Sequence, residues 1–84
     1  MNYKDYVKGF IGKMGIGIES SGVYLINYSN IKLGQGCECS ITEVHDDFSI
    51  IKCILPDIGS FYHAITISIL RLVNGEQDNV LPDR

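Results

Sequence analysis

Near Met14 the hydrophobic period of this chain changes from about 3.6 residues to 2, and that switch limits its folds more than any other feature. Before it, Tyr3, Tyr6, Val7, Phe10, Ile11 and Met14 follow the spacing i, i+3, i+4, i+7, i+8, i+11, which lines one face of a helix. Lys4, Asp5, Lys8 and Lys13 fall elsewhere on the wheel, Asn2 is placed to cap the helix, and Asp5 suits the positive end of its dipole. The spacing predicts a helix over 2–14. Gly9 and Gly12 each weaken it by roughly 0.8–1 kcal/mol relative to alanine, so it depends on docking.

After the switch, Met14, Ile16 and Ile18 alternate with Gly15, Gly17 and Glu19, giving a strand with one almost bare face. Ser20-Ser21-Gly22 is a turn signal, and Val23 to Tyr28 reads as a second strand. Gly34-Gln35-Gly36 gives a bend before Cys37, Cys39 and Ile41, which alternate with Glu38, Ser40 and Thr42. At Glu43-Val44 the alternation slips by one residue, the mark of a bulge. His45-Asp46-Asp47 forms a polar turn, Phe48 to Leu55 is apolar on both faces, and Pro56-Asp57-Ile58-Gly59-Ser60 turns again. Phe61 to Val73 is too long for one strand in so small a domain, which predicts a corner or short 3₁₀ turn near Ser68 to Leu70.

The expected architecture is mainly β, of the α+β kind: an N-terminal helix followed by about five bent antiparallel strands. One domain over 1–73 is expected, with a polar tail over 74–84. At 84 residues such a domain buries only roughly 60–65% of its unfolded surface. Ile16, Ile18, Ile41, Ile50, Ile65 and Ile67 suffice for its interior. That leaves Val23, Leu25, Ile51, Leu55, Leu70 and Leu72 as surplus apolar residues for an interface, and a homo-oligomer is expected.

Phe10-Ile11-Gly12-Lys13 leading into Met14-Gly15-Ile16-Gly17-Ile18 is similar to the helix end and first strand of Sm-like proteins. Thr42-Glu43-Val44-His45-Asp46-Asp47-Phe48-Ser49-Ile50-Ile51 resembles the turn between their second and third strands, and Ile65 to Val73 would cover their last two. The resemblance spans roughly residues 8–73 and implies an Sm-like or SH3-like small barrel. Two departures stand out. Residues 21–34 add material that a minimal Sm-like chain lacks, and Leu70-Arg71-Leu72 has no glycine beside its arginine, unlike RNA-binding members.

Several chemistries can be weighed on single residues. Cys37, Cys39 and Cys53, with His45 or His63, have the ligand types of a zinc site, but the one-residue spacing of Cys37 and Cys39 suits a zinc knuckle poorly. On a strand their Cα atoms lie roughly 6.5–7 Å apart, at or beyond the edge of disulfide geometry. An odd count of three cysteines and no apolar run after Met1-Asn2-Tyr3-Lys4-Asp5 argue for a reduced, cytoplasmic setting. We read the three thiols as small buried hydrophobes and expect no metal and no cofactor. Cys53 sits in Ile50 to Leu55, where burial makes a thiol inert, and no convergent catalytic set stands out, so an enzyme is not expected. Gly12 to Gly17 lacks the order of a phosphate loop and follows a helix instead of preceding one.

A net charge of -3 and scattered lysines give no general attraction for nucleic-acid backbones. Stacking of bases on tyrosines keeps an Sm-like nucleic-acid binder as an alternative. A small ligand held between subunits is another. The reading with fewest demands is a non-catalytic, cytoplasmic protein-interaction or inhibitor-type module, a kind that also suits a phage or mobile-element protein. Its expected partner-binding residues are Tyr24, Tyr28 and Tyr62 with an acidic exterior of Glu43, Asp46, Asp47 and Asp57 facing a basic partner. No run is long enough to cross a membrane as a helix.

Overall fold

A computed structural model describes residues 2–74. Helix α1 (Tyr3–Lys8) is followed by strands β1 (Met14–Ser20), β2 (Val23–Asn27), β3 (Cys37–Val44), β4 (Phe48–Leu55), β5 (Gly59–Thr66), a 3₁₀ turn (Ile67–Ile69) and β6 (Leu70–Val73). The six strands form one sheet in the order β5-β4-β3-β1-β2-β6. The mainly β class and the N-terminal helix agree with the sequence reading. Strand number and pairing do not: there are six strands where about five were expected, and β6 runs parallel to β2. The extra strand comes from the long C-terminal run, which the 3₁₀ turn divides into β5 and β6, while β2, expected from the sequence, forms a hairpin with β1 and lies between β1 and β6.

The helix is shorter than the expected 2–14. Asn2 caps it as expected, accepting the Asp5 backbone N–H at 2.9 Å, but α1 stops at Lys8 and Gly9 is its C-cap. The chain then continues in tighter turns, with Phe10 N–H donating to the Val7 carbonyl at 2.9 Å and Lys13 N–H to that of Phe10 at 3.0 Å. Gly12 adopts φ +88°, a left-handed conformation that an L-residue takes only with strain, and this turns the chain into β1. Val7 and Phe10 therefore reach the core, whereas Ile11 and Met14 stay exposed.

Strand β1 faces the opposite way from the sequence expectation. Its bare glycine face points into the core, and Ile16 and Ile18 lie half-buried on the outer face. The cause is lateral: Tyr24 of β2 and Tyr28 just beyond its end lie across the positions a side chain would occupy. A Cβ on Gly17 would stand 2.9 Å from Cys39 Sγ and almost on the Tyr24 hydroxyl, and one on Gly15 would stand 2.9 Å from the Tyr28 ring. The interior is built from Val7, Phe10, Tyr24, Ile26, Cys39, Ile41, Ile51, Cys53, Leu70 and Leu72. Ile51, Leu70 and Leu72, assigned above to an interface, are fully buried, and Ile50 and Ile67, assigned to the core, are only half-buried. Ile41 is in the core, and half-buried Ile65 packs against it.

Two finer expectations hold. The β3–β4 register shifts between Ile41 and Glu43, where the alternation slips, and the 3₁₀ turn divides the long C-terminal β run. That turn also shows how strongly the sheet curls. Flat, β5 and β6 would be about 24 Å apart, yet the four residues from Thr66 to Leu70 span at most about 14 Å. Among the described residues no ladder joins β5 to β6, so the curled sheet is not closed into a barrel. Of the expected tail over 74–84, Asn74 is exposed and the rest lies outside the described residues.

Candidate functional site

The curl gives the molecule two unlike ends and an outer face. At one end α1 caps the sheet. The Tyr3 hydroxyl donates to the Leu70 carbonyl at 2.6 Å, and Lys4 Nζ pairs with Asp46 Oδ1 at 2.8 Å. Tyr6 meets Phe10 edge to face and Phe10 meets Tyr28 at a tilt, with centroids 5.1 and 4.7 Å apart. Tyr28 is thus part of the cap and not of an open surface, and its buried hydroxyl has no partner among the described residues. Burial raises the Tyr28 phenol well above the ordinary tyrosine range.

The acidic residues do not converge. Glu43 Oε1 contacts His45 Nε2 at 2.7 Å, and the His45 ring stacks on Phe48 at 4.7 Å. Asp46 is held below the usual carboxylate range by its hydrogen bond to Lys4, whose own pKa is raised by the same contact. Asp47 sits in the same turn and accepts the Ile67 N–H through its backbone carbonyl at 2.8 Å. Asp57 lies in the β4–β5 turn, at the far end of β4, roughly 24 Å away along an eight-residue strand. One acidic face for a basic partner is therefore not assembled.

At the other end the sheet opens into a pocket of about 250 Å³, lined in part by Tyr24, Cys37, Cys53, Phe61 and His63. Here four residues singled out from the sequence come together. Cys39 and Cys53 are direct cross-strand partners between β3 and β4, and Cys37 pairs with Gly17 of β1. The Tyr24 hydroxyl hydrogen-bonds with Cys53 Sγ at 3.3 Å. Burial, reinforced by nearby Cys53, pushes the Cys39 thiol up to about 12, so it stays protonated and unreactive at neutral pH. Burial and the Cys53 contact likewise raise Tyr24 far above the ordinary phenol range. His63 is exposed and meets Phe61 edge to face at 4.7 Å, while His45 is at the capped end. Among the described residues no three His, Cys, Asp or Glu side chains are grouped to hold a metal ion. The lining is mostly uncharged, with a thiol and a phenol already engaged with each other.

A further surface feature lies on the outer face. Ile16, Ile18, Val23 and Leu25 form a half-buried apolar stripe across β1 and β2. Residues 28–36 fold back beside it. Buried Asn27 sets this loop: its Nδ2 donates to the Ile31 carbonyl at 2.6 Å, and its Oδ1 accepts from the Ser29 backbone N–H at 2.9 Å and the Ser29 hydroxyl at 2.6 Å. Gly36 then passes so close to β1 that a Cβ there would collide with the Gly17 carbonyl oxygen. Ile31 and Leu33 are left about half exposed. Two adjoining grooves result, of about 480 and 400 Å³, which share Leu33: Ile16 and Ile31 line the larger together with Asn27, Lys32 and Gln35, and Ile18, Val23 and Leu25 line the smaller.

Comparison with protein-family models, with curated proteins and with solved structures finds no match. The site is therefore read from its own geometry. Val23 and Leu25 were singled out from the sequence as interface residues, and they lie in the grooves. Ile16 and Ile18 were missed there because their strand was given the opposite facing. Ile31 and Leu33 carried a signal that was passed over: two large apolar residues, one apart, in a loop closed by glycines. Tyr62 stands apart from both ends, on the outer side of β5, and is 61% exposed.

Proposed function

We propose that this chain is a non-catalytic, cytoplasmic binding module that acts as a homo-oligomer and grips an apolar segment of a protein partner in its outer-face grooves. The observation that carries this reading is the alignment of Ile31 and Leu33 with the Ile16–Ile18–Leu25 stripe. A hydrogen-bonded loop holds two large side chains half in water beside an apolar strip, which makes a contiguous patch of the kind that serves as an interaction site. The grooves have few charged rim residues, so the favoured segment is uncharged and apolar, in place of the basic partner the sequence suggested. A catalytic reading has less support: the one cluster of nucleophile and imidazole types holds a thiol bonded to a phenol and a histidine turned to solvent.

The test is affinity capture from a cognate cell extract with the natural chain and with Leu33→Ser, followed by analysis of bound protein and nucleic acid. A protein retained by the natural chain and lost with Leu33→Ser is the expected result. Nucleic acid retained through high-salt washing, with no such protein, would replace this reading with the Sm-like nucleic-acid binder. The small-ligand alternative, expected between subunits, would here be moved to the open-end pocket of one subunit. Shifts of the Tyr24 and Phe61 ring signals on titrating small aromatic compounds would favour it.

A further inference from the structure

We infer that two copies of this chain join edge to edge along β5, in antiparallel register about a twofold axis, continuing the sheet from one subunit into the next. The inference rests on the oligomer reading above and names the surface that makes the oligomer.

Strand β5 is an end strand of the sheet, with β4 on one side and no described strand on the other. Its eight residues pair with β4 in eight consecutive steps without a register shift. The devices that usually keep such an edge from pairing are lysine and other charges, proline, a bulge, or a very short strand. Gly59-Ser60-Phe61-Tyr62-His63-Ala64-Ile65-Thr66 has no Lys, Arg, Asp, Glu or Pro, and it is long and regular. The opposite edge differs. Strand β6 has four residues, three of them buried, and carries Arg71. A head-to-tail β5–β6 contact would thus use half the length of β5, whereas β5 against itself can use nearly all of it and closes at two copies.

Charge and exposure also point to a second copy. The chain carries a net charge of -3, but none of it lies on β5, so self-pairing opposes no fixed charges there. The two most exposed large apolar side chains among the described residues are Ile58 at 80% and Tyr62 at 61%, one in the turn just before this strand and the other at its middle. Opposed residues in an antiparallel pair share a face, so the register must centre on one residue and not between two. Centred on Tyr62, it sets the two Tyr62 rings side by side on the outer face and Phe61 opposite His63 on the inner. Centred on His63, it sets Phe61 opposite Ile65 and Tyr62 opposite Ala64. Both are favourable cross-strand pairings.

The experiment is sedimentation equilibrium up to millimolar concentration, on the natural chain, on Tyr62→Lys/Ala64→Lys, and on Leu33→Ser, with amide hydrogen exchange of β5 at each concentration. Both lysine sites are exposed and point away from the core, and circular dichroism checks that the fold survives. The expected result is a dimer of twice 9.3 kDa whose dissociation constant rises at least about tenfold in the double-lysine variant and is unchanged in Leu33→Ser. Protection of β5 amides should rise with concentration in the natural chain. A dimer indifferent to the lysines but lost in Leu33→Ser overturns edge pairing and leaves the oligomer reading standing. A natural chain that stays monomeric overturns both. Protection of β5 that requires a different protein also overturns the inference, giving the edge to that partner.

Discussion

The two ends of the curled sheet are made of the same residue types and put them to different uses. At the capped end, aromatic rings from α1, the turn after it and the residue just past β2 pack into a continuous column, and an ion pair and a tyrosine hydroxyl tie the helix to the β3–β4 turn and β6. At the open end Phe61 and His63 line a pocket instead of filling it, and of the rings there only Tyr24 is buried, with its hydroxyl in contact with Cys53. What separates them is the helix. Where α1 covers the sheet, the rings become core. Where nothing covers it, they become a wall.

The comparison is broken most directly by removing one ring from each end. Phe10→Ala takes a buried side chain from the column and should cost about 3–5 kcal/mol, whereas His63→Ala should leave stability almost unchanged. Urea unfolding of the two variants measures the contrast directly. Equal losses would mean that the open end is covered in solution.

Alkaline pH comes next, because it strikes buried groups at both ends. The Cys39 thiol and the Tyr24 and Tyr28 phenols are raised by burial. A group with a raised folded-state pKa contributes stability that is complete below its unfolded value and lost as pH climbs toward the folded one. Melting temperature should therefore fall as pH rises from about 9 toward about 12, the span between the ordinary and the raised Cys39 values. Cys39→Ala should flatten that fall, and a profile indistinguishable from the natural chain would remove Cys39 from the account.

Gly17→Ala sharpens the comparison at its hinge. A methyl there meets the Tyr24 hydroxyl and Cys39 Sγ, so the loss should be about 1–3 kcal/mol by thermal unfolding. The Tyr24 ring should also move, visible as a shift of its aromatic resonances. Gly22→Ala, in the open β1–β2 turn, meets no neighbour and costs only the strain of its positive φ.

Smaller still is the paired test of two hydroxyls. Tyr24→Phe deletes a made hydrogen bond and should destabilise by about 0.5–1.5 kcal/mol. Tyr28→Phe deletes a hydroxyl without a described partner and should be neutral or slightly stabilising. Smallest is Asp46→Asn, in an exposed ion pair. The lowered Asp46 pKa means its contribution exists above the usual carboxylate range and disappears as pH falls through the folded value. Carbon-detected titration should show the Asp46 midpoint below the usual carboxylate range and moving up in Lys4→Ala.

How much of this was legible in the sequence follows from how local each cause is. The cap at Asn2, the slip at Glu43 and the turn within the last β run are written in neighbouring residues, and they were read correctly. The facing of β1 was not, since alternation gives the period of a strand but not which side is inward. Tyr24 and Tyr28, on the neighbouring strand and just past its end, decide that by occupying the space above Gly17 and Gly15. The parallel β2–β6 contact was hidden for the same reason, because partners more than forty residues apart leave no local trace. The candidate grooves inherit the first error: Ile16 and Ile18 in their lining come from the face that the sequence assigned to the interior.

One feature of the cap bears on how the chain reaches this state. The Tyr3 hydroxyl bonds to the Leu70 carbonyl across 67 positions, and β6 supplies Leu70 and Leu72 to a core that already needs Val7 and Phe10. The first helix therefore has no finished surface to dock on until the last strand is in place. Local hairpins such as β1–β2 and β4–β5 can form within microseconds, but closing the long loop between helix and final strand must wait for them. During synthesis on a ribosome, the polypeptide should stay unlocked until residue 73 has cleared the exit tunnel, then fold in one late cooperative step.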